Sequence, residues 1–226
     1  MKFYAIIVAG GSGNRMQAAL PKQFLPLQGK PILMHTMEAF HACGLSPEII
    51  IVLNIHQHQF WEQLCQKHNF PIPHQLVSGG EERFHSVKSG LQFIKGDGIV
   101  AVHDAVRPLV SRDLIQRCFQ AAEAKGNAVP GVPPTDSIRR ISVSGKSEAM
   151  SRNMVALIQT PQTFGVKLLK KAYTQPFRND FTDDASVVEY MGTEINVIEG
   201  ERSNIKITYQ EDIAIAGFHI TKKASE

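Results

Sequence analysis

Phe3-Tyr4-Ala5-Ile6-Ile7-Val8-Ala9 runs straight into Gly10-Gly11-Ser12-Gly13-Asn14-Arg15-Met16, and Pro21-Lys22-Gln23 follows. The first seven residues show no polar alternation, the pattern of a strand covered on both faces. The glycines Gly10, Gly11 and Gly13 let backbone N–H groups crowd together, and such a nest binds anions. Behind it stand two cations of different shape, Arg15 as a planar fork and Lys22 as a compact point charge. Pro21 disfavours helix at the residue before it, so Lys22 is expected on an extended loop. A buried strand delivering such a loop suits a polyphosphate. The competing reading is a tight turn that happens to carry surface cations.

Two familiar glycine loops are excluded by spacing. A dinucleotide fingerprint counted from Gly11 would need a third glycine where Met16 stands. It would also need an acid near the end of the second strand, but Ile49-Ile50-Ile51-Val52-Leu53 ends in Asn54. A Walker loop needs Gly-Lys-Ser/Thr after four intervening residues, and none of these glycines supplies it.

Outward from this loop, strand-like and helix-like segments alternate. Ile32, Leu33, Met37 and Phe40 recur at helical spacing, Phe60, Trp61 and Leu64 mark a second helix, and Gln75-Leu76-Val77 is a short strand. Val87, Leu91 and Ile94 form another stripe, Ile99–His103 another buried strand, and Leu114, Ile115, Phe119 and Ala122 another helix. The rhythm predicts an α/β fold with a mostly parallel central sheet between helices. In such sheets ligands sit beyond the carboxyl ends of the strands, where the glycine loop, Gly79-Gly80 and Asp104 would meet. The stretch from 134 to 154 breaks the rhythm, with Ile138, Ile141 and Val143 scattered among Arg139, Arg140, Ser142 and Ser144. It reads either as a β-arm packing on another subunit or as a mobile loop. Val155-Ala156-Leu157-Ile158 is expected to resume an apolar strand.

With 226 residues and 43% hydrophobic content, one domain spanning 1–226 is expected. A dispersed net charge of +3 gives no concentrated basic face for nucleic acid. Cys43, Cys65 and Cys118 form no C-x-x-C pair and are expected as inert thiols. No apolar run approaches membrane-spanning length, and no charged-then-apolar leader opens the sequence, so the expectation is a soluble, cytoplasmic protein.

Asp104, at the end of the strand leading into His103-Asp104-Ala105-Val106-Arg107-Pro108, is the metal candidate. One carboxylate beside bound phosphates is the usual protein share of a Mg2+ site. The alternative is a strand-end Asp pairing with Arg107. Ser86, in Gly80-Glu81-Glu82-Arg83-Phe84-His85-Ser86, reads equally as a base contact or an idle helix residue, and the acids suit a helix N-terminus. Thr182 reads as an N-cap with Asp183 and Asp184 in the first turn, while a further role for Asp183 stays open. Lys206 is expected on a late strand with outward alternation, where a solvated charge is the plain reading.

Taken together, these segments resemble the 2-C-methyl-D-erythritol 4-phosphate cytidylyltransferases. The matching pieces run from Ala9–Met16 and Pro21-Lys22-Gln23 through Gly80–Val87 and His103–Pro108. They continue with Gln159-Thr160-Pro161-Gln162, Thr182–Ser186 and Asn204–Thr208, in the family's order. The resemblance implies a Rossmann-like three-layer nucleotidyltransferase fold, a protruding β-arm at about 134–154, a homodimer, and CTP and a phosphorylated polyol as substrates with Mg2+. It gives Arg15 and Lys22 the stabilisation of phosphate charge and Asp104 the metal. It assigns Ala9, Gly10, Gly80, Glu81 and Ser86 to the cytosine and ribose pocket. Arg152, offered from the partner's arm, and Lys206 would position the acceptor, with Arg107, Thr135 and Ser137 also binding it. Gly10 and Val106 resemble instead the ribitol-5-phosphate cytidylyltransferases, which bears on the polyol and not on the transfer. Two readings from other classes, a nicotinamide oxidoreductase and a non-catalytic nucleotide-binding regulator, are separated by NADH binding and by pyrophosphate release.

Overall fold

The computed structural model describes residues 1–9 and 20–225, with side chains to residue 222. The expectations for Gly10, Gly11, Gly13 and Arg15 lie outside the described residues.

The chain opens with β1 (Phe3–Val8) and a small antiparallel pair, β2 (Pro26–Leu27) and β3 (Lys30–Pro31). It continues through α1 (Ile32–His41), β4 (Glu48–Leu53), α2 (His58–Lys67), β5 (Gln75–Ser78), α3 (Arg83–Phe93) and β6 (Ile99–Asp104). Then come α4 (Arg112–Lys125), β7 (Asn127–Val132), the hairpin β8 (Ile138–Ile141) with β9 (Ser147–Met150), β10 (Leu157–Ile158) and β11 (Gln162–Gly165). The chain finishes with α5 (Val166–Ala172), α6 (Asp184–Glu189), β12 (Val197–Glu199) and α7 (Gln210–Ser225).

The main sheet runs β10-β7-β11-β6-β1-β4-β5, with β12 also on β7. β5, β4, β1 and β6 are mutually parallel, and β11 is antiparallel to both its neighbours. Alternate residues of each central strand face opposite ways. Ala5, Ile7, Ile49 and Ile51 therefore pack against Phe40 of α1, Trp61 of α2 and Phe119 of α4. Tyr4, Ile6, Ile50 and Val52 pack against Phe84 of α3, Leu169 of α5 and Val188 of α6. The result is the three-layer α/β architecture expected from the alternation. After β5 the chain returns to the far side of β1 to lay down β6. The order reverses there, and open α/β sheets place their ligand crevice at that point.

Three local expectations change. The Val155–Ile158 run yields only the two-residue β10, which pairs with β7 at the end of the strand order and is exposed. Lys206 lies on an extended segment outside any strand; that segment is fixed by Ile207 N–H donating to the Val106 carbonyl. The cap of α6 is Asp183, whose side chain accepts from Ser186 N–H in a capping box. Asp183 is preferred to Thr182 because its other oxygen accepts from Gln162 Nε2 at 2.7 Å, a tie across to β11.

Candidate active site

Val8 and Asp104 face each other in register at the carboxyl ends of β1 and β6. Beyond them the chain is tied down at once. Ala9 N–H donates to Val52 O at 2.9 Å, and Ala105 N–H donates to Val8 O at 3.0 Å. The buried Gln23 amide donates to Ala9 O at 3.0 Å and to Gln57 Oε1 at 2.9 Å. Lys22 opens a short 3-10 turn, Lys22–Phe24, that Gln23 anchors, so the turn is fixed relative to the strand exit. Its ammonium donates to Ile207 O at 3.5 Å, beside Lys206.

Asp104 is the hub. Its Oδ2 accepts from Arg107 Nε at 3.2 Å and lies 3.1 Å from Lys206 Nζ, while its Oδ1 is 3.7 Å from Arg83 Nε. Burial by itself would raise this carboxyl, but Lys206, Arg83 and Arg107 together hold it well below the usual carboxylate range. Asp104 is therefore an anion at any physiological pH. Arg107 also donates to Asn204 O at 2.8 Å, which fixes the segment carrying Lys206. Of the two readings for Asp104, pairing with Arg107 is present. A second oxygen, Oδ1, is left with no hydrogen bond among the described residues.

The wall behind Asp104 is neutral. Asp104 N–H donates to Thr160 Oγ1 at 3.1 Å, so the Thr160 hydroxyl turns its proton towards His103 Nδ1, 3.0 Å away. His103 Nε2 then donates to the Arg107 carbonyl at 3.2 Å, which fixes the neutral tautomer. Burial, the larger effect, outweighs the opposing pull of Asp104 and pushes the imidazole down to about 4. His103 thus orients the strand end and carries no charge.

At the other end of the crevice, Gly79 N–H donates to Leu53 O at 2.7 Å. Ser86, buried on α3, accepts from Gly80 N–H at 3.2 Å. A Cβ on Gly80 would collide with the Cβ of His85, so the turn closes only with glycine at that position. Ser86 is accordingly the hydroxyl that sets the Gly79-Gly80 turn, and Glu81 stands exposed beside it.

Three cations, Arg83, Arg107 and Lys206, thus converge on a carboxylate at the switch point, and Lys22 is held on Ile207 O next to Lys206. No group of three His, Cys, Asp or Glu side chains able to hold a metal occurs among the described residues. A hard cation here would be bound as Asp104 suits it, by one carboxylate with the remaining ligands from phosphate and water. The open Oδ1 fits that role.

A family profile described as 2-C-methyl-D-erythritol 4-phosphate cytidylyltransferase matches residues 3–222. The chain belongs to this family. A relative of that name in Phocaeicola vulgatus is 50% identical over 216 residues, covering 96% of this chain and 98% of its own. Another, in Clostridium botulinum, is 38% identical over 96% of this chain and 99% of its own. Among solved structures, the 4-diphosphocytidyl-2C-methyl-D-erythritol synthase of Anaerococcus prevotii superposes with a TM-score of 0.83 at 28% identity, over 97% of this chain and 96% of that one. The Francisella tularensis cytidylyltransferase gives 0.79 at 30% identity, over 96% and 99%.

The residues that the family resemblance singles out divide into two places. Lys22, Asp104, Arg107 and Lys206 lie together, with Ala9 at the strand exit beside them, and Gly80, Glu81 and Ser86 form the neighbouring turn. Thr135, Ser137 and Arg152 are exposed near the hairpin; Arg152 donates to Thr135 O at 3.3 Å. Among the described residues no hydrogen bond or ion pair joins these three to the Asp104 cluster. Sequence reasoning passed over Arg83 and Asp184, which pair at 2.7 Å. Both sat in acidic, helix-starting stretches that have a sufficient local explanation, and only the fold brings them together.

Proposed function

We propose that this protein transfers the cytidylyl group of CTP to 2-C-methyl-D-erythritol 4-phosphate, giving 4-diphosphocytidyl-2-C-methyl-D-erythritol and pyrophosphate. The observation that carries the reading is Lys206 Nζ 3.1 Å from Asp104 Oδ2 at the switch point of the sheet, with Lys22 donating to the carbonyl of the next residue, Ile207. A phosphate monoester has its second pKa near ~6, so the acceptor arrives with its nucleophile already deprotonated. An acceptor phosphate oxygen forms the new bond to the α-phosphorus, and the bond from that phosphorus to the β-phosphate oxygen breaks with its electron pair, releasing pyrophosphate. A general base is not needed, which suits a site whose one buried imidazole is neutral and engaged.

The barrier is repulsion between two polyanions and charge growing on the leaving group. Lys22 meets that charge, and Lys206 with Arg107 receives the acceptor phosphate; the family resemblance adds Arg15, which lies outside the described residues, to the same role. Lys22, Arg107 and Lys206 are tethered before substrate arrives and so act with little reorganisation. A divalent cation carried by Asp104 would neutralise phosphate charge as a Lewis acid. The turn at Gly80, Glu81 and Ser86 presents backbone groups to the cytosine edge and ribose. Arg152, which among the described residues has no hydrogen bond or ion pair to this cluster, serves the site of a partner subunit, which makes the working unit a homodimer joined through the arm, and Thr135 and Ser137 bind the acceptor. Among the described residues no helix is long and apolar enough to cross a membrane, and we place the protein in the cytoplasm.

The deciding experiment follows pyrophosphate release from CTP with methylerythritol phosphate and, separately, with ribitol 5-phosphate. Release with the first and not the second supports the reading. The reverse would assign the protein to the ribitol branch, and release with neither would defeat it.

A further inference from the structure

Asp184 plays no part in the chemistry above, yet it is a fully buried carboxylate. Its Oδ2 accepts from Arg83 Nη2 at 2.7 Å, and its Oδ1 accepts from the Tyr173 hydroxyl at 2.6 Å. Tyr173 is itself buried, and burial with the neighbouring Asp184 pushes its hydroxyl well above the usual phenol range, so it keeps its proton and always donates. Arg83 is thereby drawn to Asp184. On its other flank its Nε stands 3.7 Å from Asp104 Oδ1, outside hydrogen-bond reach.

An arginine fork beside a lone carboxylate tends to close on it with two parallel hydrogen bonds. Here the fork is divided between two acids: Nη2 is bonded to Asp184, while Nε faces Asp104 Oδ1 as an ion pair without a hydrogen bond. Asp104 Oδ2 is already taken up by Arg107 and Lys206, so a closed Arg83 would occupy the remaining oxygen. We propose that Asp184 is a positioning residue: braced by Tyr173, it holds Arg83 back from Asp104 and so keeps Oδ1 of Asp104 open to a divalent cation. The inference rests on the reading that Asp104 takes such a cation together with CTP.

The test uses the full chain and reads binding, not turnover. CTP binding is followed by calorimetry across a magnesium series in wild type, Asp184→Asn, and the double variant Arg83→Gln with Asp184→Asn. The neutral amide releases Arg83, and the magnesium concentration at half effect should rise ~10-fold, as for loss of other groups that orient a metal ligand. Removing Arg83 in that background should bring the midpoint back towards wild type, a rescue that a merely structural role for Asp184 does not provide. An unchanged midpoint in Asp184→Asn, or a shift that the double variant fails to recover, overturns the proposal. Should Asp184→Asn not fold, Tyr173→Phe removes one brace and must move the midpoint in the same direction; no shift there overturns it equally. Wild-type CTP binding indifferent to magnesium would instead sink the metal role of Asp104, and the inference with it.

Discussion

Replacing Lys206 by Ala separates what this lysine does for the fold from what it does for the reaction. Its ammonium lies 3.1 Å from Asp104 Oδ2, but 44% of the side chain is exposed. At that distance the bare attraction runs from about 1 kcal/mol at the dielectric of water to about 5 kcal/mol at an effective value of 20. Solvent screening and the entropy of holding a long side chain bring exposed pairs down to under ~1 kcal/mol net. Asp104 keeps Arg107 and Arg83 as partners, so its charge stays compensated. For a chain of this length, ~1 kcal/mol moves the unfolding midpoint by roughly 2–4 °C. Loss of one preorganised cation should meanwhile cost ~10²–10³ in turnover, about 2.7–4 kcal/mol of transition-state stabilisation. Thermal unfolding and pyrophosphate release on the same preparation read both quantities. A variant turning over within tenfold of wild type would refute the catalytic role. A midpoint that collapses well beyond the few degrees allowed would show that lost activity reflects lost structure.

Arg15→Ala and Lys22→Ala should each lower turnover ~10²-fold or more with the circular dichroism spectrum unchanged, and wild-type rates in either would remove that residue from the charge cradle. Asp104→Asn should flatten the magnesium dependence of turnover, and an unaltered metal titration would count against the ligand assignment. Mixing Arg152→Ala chains with Lys22→Ala chains should restore part of the activity if sites are shared between subunits; a mixture as inactive as its components would speak against it. Burial pushes the Cys118 thiol up to about 12. Because its folded value is raised, its contribution to stability is complete below the unfolded thiol value near ~8.5 and is lost as pH rises from there towards about 12. Alkylation mapped by mass spectrometry at pH 8 should therefore spare Cys118 until the protein is unfolded, and rapid native labelling would contradict its burial.

The sheet and its crevice were readable because short, uninterrupted apolar runs leave few alternatives to buried parallel strands. Asp104 was readable because it closes one of those runs. Leu157 and Ile158 misled for the same reason inverted: their apolarity resembles core, but their position on the margin of β7 leaves them half in solvent. Lys206 looked like a solvated charge because its partner lies about a hundred residues earlier, and Asp104 shows nothing locally of the partner to come. The Arg83–Asp184 pair spans 101 positions, and each member had an adequate explanation in its own helix start. Legibility thus ends where a side chain's meaning depends on distant chain and not on its own element.

Within one chain the β8–β9 hairpin is almost wholly exposed, and its tip at Gly145 makes no demand on that chain's core. A protease nick at that tip would leave one fragment holding Lys22, Arg83, Asp104 and Arg107, and another holding Arg152, Asp184 and Lys206. Each piece would own half of a charge arrangement that means nothing alone, while β6 and β11 would still have each other to pair with. The protein is in that sense a natural candidate for splitting into a reconstitutable reporter, silent in halves and active only when its halves meet.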